Sequence, residues 1–141
     1  MDSKLFDMEV LVKIGWVMLI AIHAMPSLVV FAPSMATKLY GVDPAGDIGV
    51  LLAHRGAMFL TVVVVSLIAI FDPSARWLAS IVVAISLISF LIVYARAGMP
   101  AGPLRSIAVV DLVGVVPLVF VSAGPLVYLI LGPSDVRITD P

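Results

Sequence analysis

Four long apolar runs, separated by short breaks rich in Gly, Pro and charged residues, organise the chain. A helix rising about 1.5 Å per residue needs roughly 20 apolar residues to cross a hydrocarbon layer about 30 Å thick, and each run is long enough. The first predicted span covers 8–31. It carries Lys13 and Trp16 near its start, where a long amine snorkels and an indole sits at headgroup level, and it ends at Pro33 and Ser34. A connection from Ala32 to Asp47 follows, holding Lys38, Tyr40, Gly41, Asp43, Pro44 and Gly46, turn formers and charges that predict the longest loop of the chain. The second span covers 48–71 and stops at Asp72-Pro73-Ser74, with Ser74 placed to cap the next helix. The third covers 77–94, opens on Trp77 and is interrupted by Ser80, Ser86 and Ser89, residues that bond back to their own helix or across to a neighbour. Gly98 to Pro103 is a breaker flanked by Arg96 and Arg105 as interface anchors. The fourth span covers 106–131. It contains Asp111, Pro117, Gly124 and Pro125, which predict a bend or partial break, and a polar tail from Gly132 is expected to be mobile.

Short connections make successive helices antiparallel, so the expected architecture is an all-α membrane protein: a four-transmembrane-helix antiparallel bundle, up-down-up-down, forming one domain over 1–141. Composition agrees. Of 141 residues 62% are hydrophobic and 12% charged, and a soluble domain carries about twice that charged fraction. The acidic residues Asp2, Asp7 and Glu9 ahead of the first run argue for a retained span rather than a signal peptide. A net charge of −1 without a basic cluster excludes nucleic acid as a partner, because phosphate binding needs grouped Lys and Arg. With no cysteine, disulfides, thiolate metal sites and cysteine nucleophiles are excluded together. Basic residues do not orient the bundle: Lys4, Lys13, Arg76 and Arg137 fall on one side, Lys38, Arg55, Arg96 and Arg105 on the other.

Candidate chemistry comes from ionisable residues at membrane depth, which are costly and mark function by default. His54 and Arg55 lie about 9 to 11 Å into the second span, and Asp111 on the fourth lies at nearly the same depth. Ser89 and Tyr94 on the third span and His23 on the first fall toward the same face, so every helix contributes to one polar layer and a shallow internal pocket is expected. The half facing the termini reads as mainly apolar. Each residue has two readings. Arg55 and Asp111 form a structural ion pair, or a charged pair that orients a ligand. His54 is a hydrogen-bonded structural histidine, or a metal or haem ligand. His23 satisfies carbonyls loosened by Pro26, or ligates haem. Ser86 and Ser89 act as helix-helix glue, with no base beside them in sequence, and the seven methionines fill core gaps or contact an apolar ligand.

Leu39-Tyr40-Gly41, His54-Arg55, Pro73, Arg76, Ser89-Phe90 and Asp111 resemble, over nearly the whole chain, a group of small four-span bacterial membrane proteins of unassigned function. That resemblance implies a multi-pass protein of the bacterial inner membrane. Ala53-His54-Arg55-Gly56 before an apolar helix, with Ala75-Arg76-Trp77-Leu78-Ala79-Ser80-Ile81-Val82-Val83, is similar to styrene oxide isomerase, a trimeric four-span enzyme whose Ala-His-x-Gly histidine ligates haem b. Ferric iron there acts as a Lewis acid on an epoxide and yields an aldehyde. The similarity implies His54 as the axial metal ligand, Arg55 or Arg105 on haem propionates with Asp111 orienting Arg55, and Tyr94 or Ser89 facing a small apolar substrate in a homo-oligomer. The chain has Leu60 where that family carries an asparagine. A non-enzymatic accessory subunit, or a lipid- or quinone-binding protein, uses the same layer without catalysis.

Overall fold

The computed structural model describes the backbone of residues 3–135 and the side chains of residues 8–123. Helix α1 (Ser3–Ser27) runs into a 3-10 turn at Leu28–Val30, followed by a short α2 (Ser34–Tyr40) and by α3 (Gly46–Phe71). A second 3-10 turn, Pro73–Ala75, leads into α4 (Arg76–Arg96), and α5 (Pro103–Asp135) completes the order. The four long helices are each long and apolar enough to cross a membrane, and no strand occurs among the described residues. The protein is an all-α, four-helix, integral membrane protein.

The helices close a ring: α1 packs on α3, α3 on α4, α4 on α5, and α5 returns to α1. Glu9 near the start of α1 bonds Arg76 at the start of α4, and Arg76 also bonds Ala69 near the end of α3, so these three ends share one side of the bundle. Burying apolar surface against lipid-like surroundings gains little, so helices in a bilayer associate through close packing and interhelical hydrogen bonds. Accordingly the interior is small and tight, built from Trp16, Leu19, Val62, Ala69, Ala79, Val83, Leu87, Leu118 and Val121. Large apolar side chains such as Phe31, Val50, Phe71 and Val116 remain on the outside. Trp16 is fully buried rather than set among lipid headgroups, because its side chain belongs to the core that α1 shares with α3, α4 and α5. Met8, Met18, Met25, Met58 and Met99 are exposed, so these methionines are not core fillers.

Three local expectations change. The connection after α1 contains a helix, because Met35, Ala36, Leu39 and Tyr40 recur at helical spacing and form one face that packs on Val29, Leu52, Leu104 and Ile107. Gly41 ends it in the left-handed region (φ 68°) while its N–H bonds Thr37 O at 2.9 Å. At the second connection Asp72, not Ser74, is the capping acceptor: its Oδ1 accepts from the Ser74 amide at 2.9 Å and from the Ser74 hydroxyl at 2.7 Å. Those donors hold the Asp72 carboxyl below its ordinary range. Finally, α5 continues through Pro117 and past Gly132 to Asp135. The helix carries Pro117, Pro125 and Pro133 within it, and in a membrane bundle the backbone groups that each proline frees can be satisfied without a break. The remainder of the expected tail lies outside the described residues.

The end of the bundle that carries the termini is not merely apolar. Arg76 is buried, its Nε donates to Ala69 O at 3.1 Å, and its two terminal nitrogens donate to the two oxygens of Glu9, one at 2.9 Å. One planar fork thus ties α1, α3 and α4, a geometry Lys cannot reproduce.

Candidate functional site

The polar layer is organised by His23. Its Nδ1–H donates to Leu19 O, one turn back on α1, at 2.8 Å. A carbonyl can only accept, so Nδ1 carries the proton and Nε2 of the neutral ring accepts. Nε2 lies 3.2 Å from Ser86 Oγ on α4, whose hydroxyl is the matching donor. Pro26 is not involved as expected. The carbonyl its missing amide leaves open is Ile22 O, whereas the ring reaches Leu19 O, directly in line four residues before it.

Phe59 on α3 stands against this imidazole, ring centroids 5.8 Å apart, and the His23–Phe59–Ser86 group separates two clefts. The first, about 690 Å³, lies between α1 and α5, with Ile22, His23 and Met25 on one wall and Ser106, Val110 and Asp111 on the other. Lys38, Leu39 and Tyr40 of α2 roof it. The second, about 430 Å³, lies between α3 and α4 and is lined by Arg55, Met58, Val62, Val82, Ile85, Ser86, Ser89 and Phe90 among others. Phe59 borders both.

Arg55 lines the second cleft, one turn from Phe59 on α3. Its guanidinium carbon lies 5.6 Å from the Tyr40 ring centroid, 5.3 Å from Phe59 and 5.1 Å from Phe90, a cage of three rings supplied by α2, α3 and α4. The expected Arg55–Asp111 ion pair does not form; the ion pairs among the described residues are those of Glu9 with Lys13 and Arg76. The aromatic cage takes the guanidinium instead, and leaves Asp111, buried as a residue on the α5 wall, with its carboxyl open to the first cleft and no hydrogen-bond donor among the described residues.

The other candidates disperse. Ser89 is exposed on the second cleft and donates weakly to Ser86 O at 3.4 Å. Tyr94 turns away from both clefts and donates to Pro100 O at 2.9 Å, closing the loop after α4. His54 is exposed on the outer face of α3 and lines neither cleft, because one residue step rotates it about 100° from Arg55. Arg105 is exposed at the start of α5. The haem set His54, Arg55, Arg105 and Asp111 therefore does not surround one space within a protomer, and no group of three or more His, Asp or Glu gathers as a metal site among the described residues. These residues do not fit a haem within a single chain.

Sequence reasoning underrated Ser86 and His23, since the base that meets this serine lies 63 residues away on another helix. It gave no role to Phe59, and none to Phe90 beyond the resemblance carried by Ser89-Phe90. The available signal was the four-residue spacing of Arg55 and Phe59, which puts both on one face of α3.

Tyr40 supplies a titratable reporter of the roof. Burial is the main cause raising its phenol above 10.0; the Arg55 charge opposes this and the Asp111 charge adds to it. The neutral phenol is favoured in the folded state, so this contribution to stability is complete below the unfolded value near 10 and is lost as pH climbs through the raised one. Absorbance titration of the tyrosinate band is expected to show a late component that Tyr40→Phe removes; an unchanged titration curve in that variant contradicts the buried roof.

Comparison with protein-family models, with curated proteins and with solved structures finds no match for this chain.

Proposed function

We propose that this protein binds a membrane-resident amphiphile in the α1/α5 cleft: a ligand with an apolar body and a hydroxyl at its polar end. It is a member of the lipid- and quinol-binding class rather than a structural subunit. The observation that carries this reading is Asp111, a residue only 8% exposed on the wall of a cleft of about 690 Å³, whose carboxyl opens onto that cleft and meets no donor among the described residues. A carboxyl on the wall of a mainly apolar cleft within a membrane has little water to solvate it, and a ligand that donates to it lowers that cost. Tyr40, on the roof of the same cleft, has a hydroxyl without a hydrogen-bond partner among the described residues. A ligand hydroxyl answers both, donating to Asp111 and accepting from Tyr40. Both His23 nitrogens are already engaged, which makes that ring a wall and not a proton carrier in this arrangement. Ile22, Met25, Ile107 and Val110 receive the apolar body, and the exposed Met25 thioether adapts to its shape.

The test compares a long-chain isoprenoid alcohol with its methyl ether by thermal unfolding in detergent. At about a hundredfold excess over Kd a ligand adds roughly 2.7 kcal/mol to stability, enough to raise the midpoint by several degrees. The alcohol is expected to do this and the ether, which cannot donate, is not. Asp111→Leu is expected to abolish the shift. Equal stabilisation by alcohol and ether, or a shift that survives Asp111→Leu, rejects the proposal. An accessory subunit shows no ligand-dependent shift at all. An absorption spectrum of protein made with ample haem addresses the isomerase-like alternative: a Soret band lost in His54→Ala would replace this reading with a haem-dependent one.

A further inference from the structure

The second cleft holds an unanswered charge. A guanidinium stays protonated in any protein environment and offers five N–H donors. Arg55 is half-buried within the span of α3, yet no carboxylate pairs with it and no acceptor takes its N–H groups among the described residues. Three aromatic rings face it. Their π faces compensate part of the positive charge but accept none of the in-plane hydrogen bonds. A charged group taken from water and left in this state calls for an anion.

We infer that Arg55 anchors a second ligand site, in which the α3/α4 cleft holds a long-chain carboxylate, head on the guanidinium and chain along the groove. The direction of the groove fits. Arg55, Phe90 and Val93 lie toward the connection-rich face, while Val62 and Val82 lie deeper on the two antiparallel helices, so polarity falls toward the middle of the bilayer. The neighbouring hydroxyls are spent: Thr61 donates to Ala57 O, Ser89 to Ser86 O and Ser86 to His23. Arg55 therefore supplies the donors, and its planar fork matches a carboxylate with two parallel bonds. Depth selects the head group. Arg55 stands nine residues into α3, roughly 13 Å from its first residue. A single-chain carboxylate can follow it there, whereas the phosphate of a two-chain lipid is held at headgroup level. The site is separate from the α1/α5 cleft, from which the His23–Phe59–Ser86 group divides it.

The test measures binding of isotopically labelled oleate to the full-length protein in non-ionic detergent. Monoolein, with the same chain and no charge, and dioleoyl phosphatidylglycerol serve as comparison ligands. Oleate is expected to bind, monoolein to bind much more weakly, and Arg55→Gln to weaken oleate by about tenfold or more through loss of the charged fork. Ile85→Trp, which fills the groove, is expected to do the same. Val110→Trp, which fills the other cleft, is expected to leave oleate binding unchanged and to remove the alcohol-dependent stabilisation described above, so the two sites fail independently. Oleate affinity unchanged in Arg55→Gln, monoolein binding equal to oleate, or retention of phosphatidylglycerol without oleate overturns the assignment. If Arg55→Gln does not fold, Ile85→Trp decides, and unchanged oleate binding in it is equally fatal.

Discussion

Replacing Arg76 with Ala is expected to lower the stability of the bundle by about 2 to 3 kcal/mol, from the loss of hydrogen bonds to a charged group that are worth roughly 1.5 to 3 kcal/mol. The figure stays at the lower end of what several such bonds would sum to, because Glu9 keeps 39% of its side chain exposed and water screens that half of the contact. Arg76→Lys is expected to restore little, since a single ammonium cannot serve Glu9 and the Ala69 carbonyl together. Glu9→Ala leaves the buried guanidinium half-satisfied and should cost a comparable amount. Equilibrium unfolding in mixed micelles, run as a double-mutant cycle, measures the coupling directly. Strict additivity of Arg76→Ala and Glu9→Ala would show that the fork does not tie α1 to α4. Lys13→Ala provides the control: its ammonium lies 3.7 Å from Glu9 on an exposed surface and should change stability by well under about 1 kcal/mol.

Gly56→Leu is expected to be the other severe substitution, costing about 3 kcal/mol, at the upper end of ordinary overpacking. A Cβ at position 56 would stand 3.0 Å from the Val30 amide nitrogen and 3.4 Å from Pro26 O. Both are backbone atoms of the segment that ends α1, and neither can rotate aside. Gly56→Ala should lie much closer to wild type, because about 0.8 to 1.0 kcal/mol of helix propensity offsets a contact that a few tenths of an ångström relieves. The local consequence matters as much as the stability. Arg55 directly precedes Gly56 and Phe59 follows it by three residues on α3, so forcing α3 away from α1 displaces the caged guanidinium and the partition between the clefts together. Thermal unfolding of the two variants, with oleate and alcohol binding measured on Gly56→Ala, separates the effects. A Gly56→Leu protein as stable as wild type would show that the helices do not approach this closely.

The two predictions concern opposite ends of one bundle, and they divide its physics. At the terminal side a charged fork holds three helices in register. At the other side Gly56 lets α3 approach the end of α1, and the aromatic cage takes the cation that would otherwise neutralise Asp111. Pairing is incomplete at the terminal side as well, where Trp16 Nε1, Ser66 Oγ and Ser80 Oγ are buried without partners among the described residues, so what distinguishes the other end is that its unpaired groups, Asp111 and Arg55, line clefts.

Span number, membrane character and the antiparallel order were legible in the chain, because about 20 apolar residues between Gly- and Pro-rich breaks have few other stable solutions in a bilayer. The depth of the polar layer was legible too, since rise per residue is constant along a helix. Helix α2 was hidden, because the helical spacing of Met35, Ala36, Leu39 and Tyr40 spans fewer than two turns between Pro33 and Gly41 and does not stand out from a loop until Val29, Leu52 and Ile107 are known to lie beneath it. Matched depth suggested a salt bridge between Arg55 and Asp111. Depth says nothing of azimuth, however, and the rotation of α3 points Arg55 at Phe90 and Tyr40 and turns His54 outward. His23 and Ser86, on α1 and α4, could be joined only by the ring closure of the bundle. By itself the sequence determined what must lie in the membrane and how deep each polar group sits, both one-dimensional quantities. Which of those groups face one another was decided only by the tertiary structure, because helix rotation is set by side-chain packing between segments far apart in the chain.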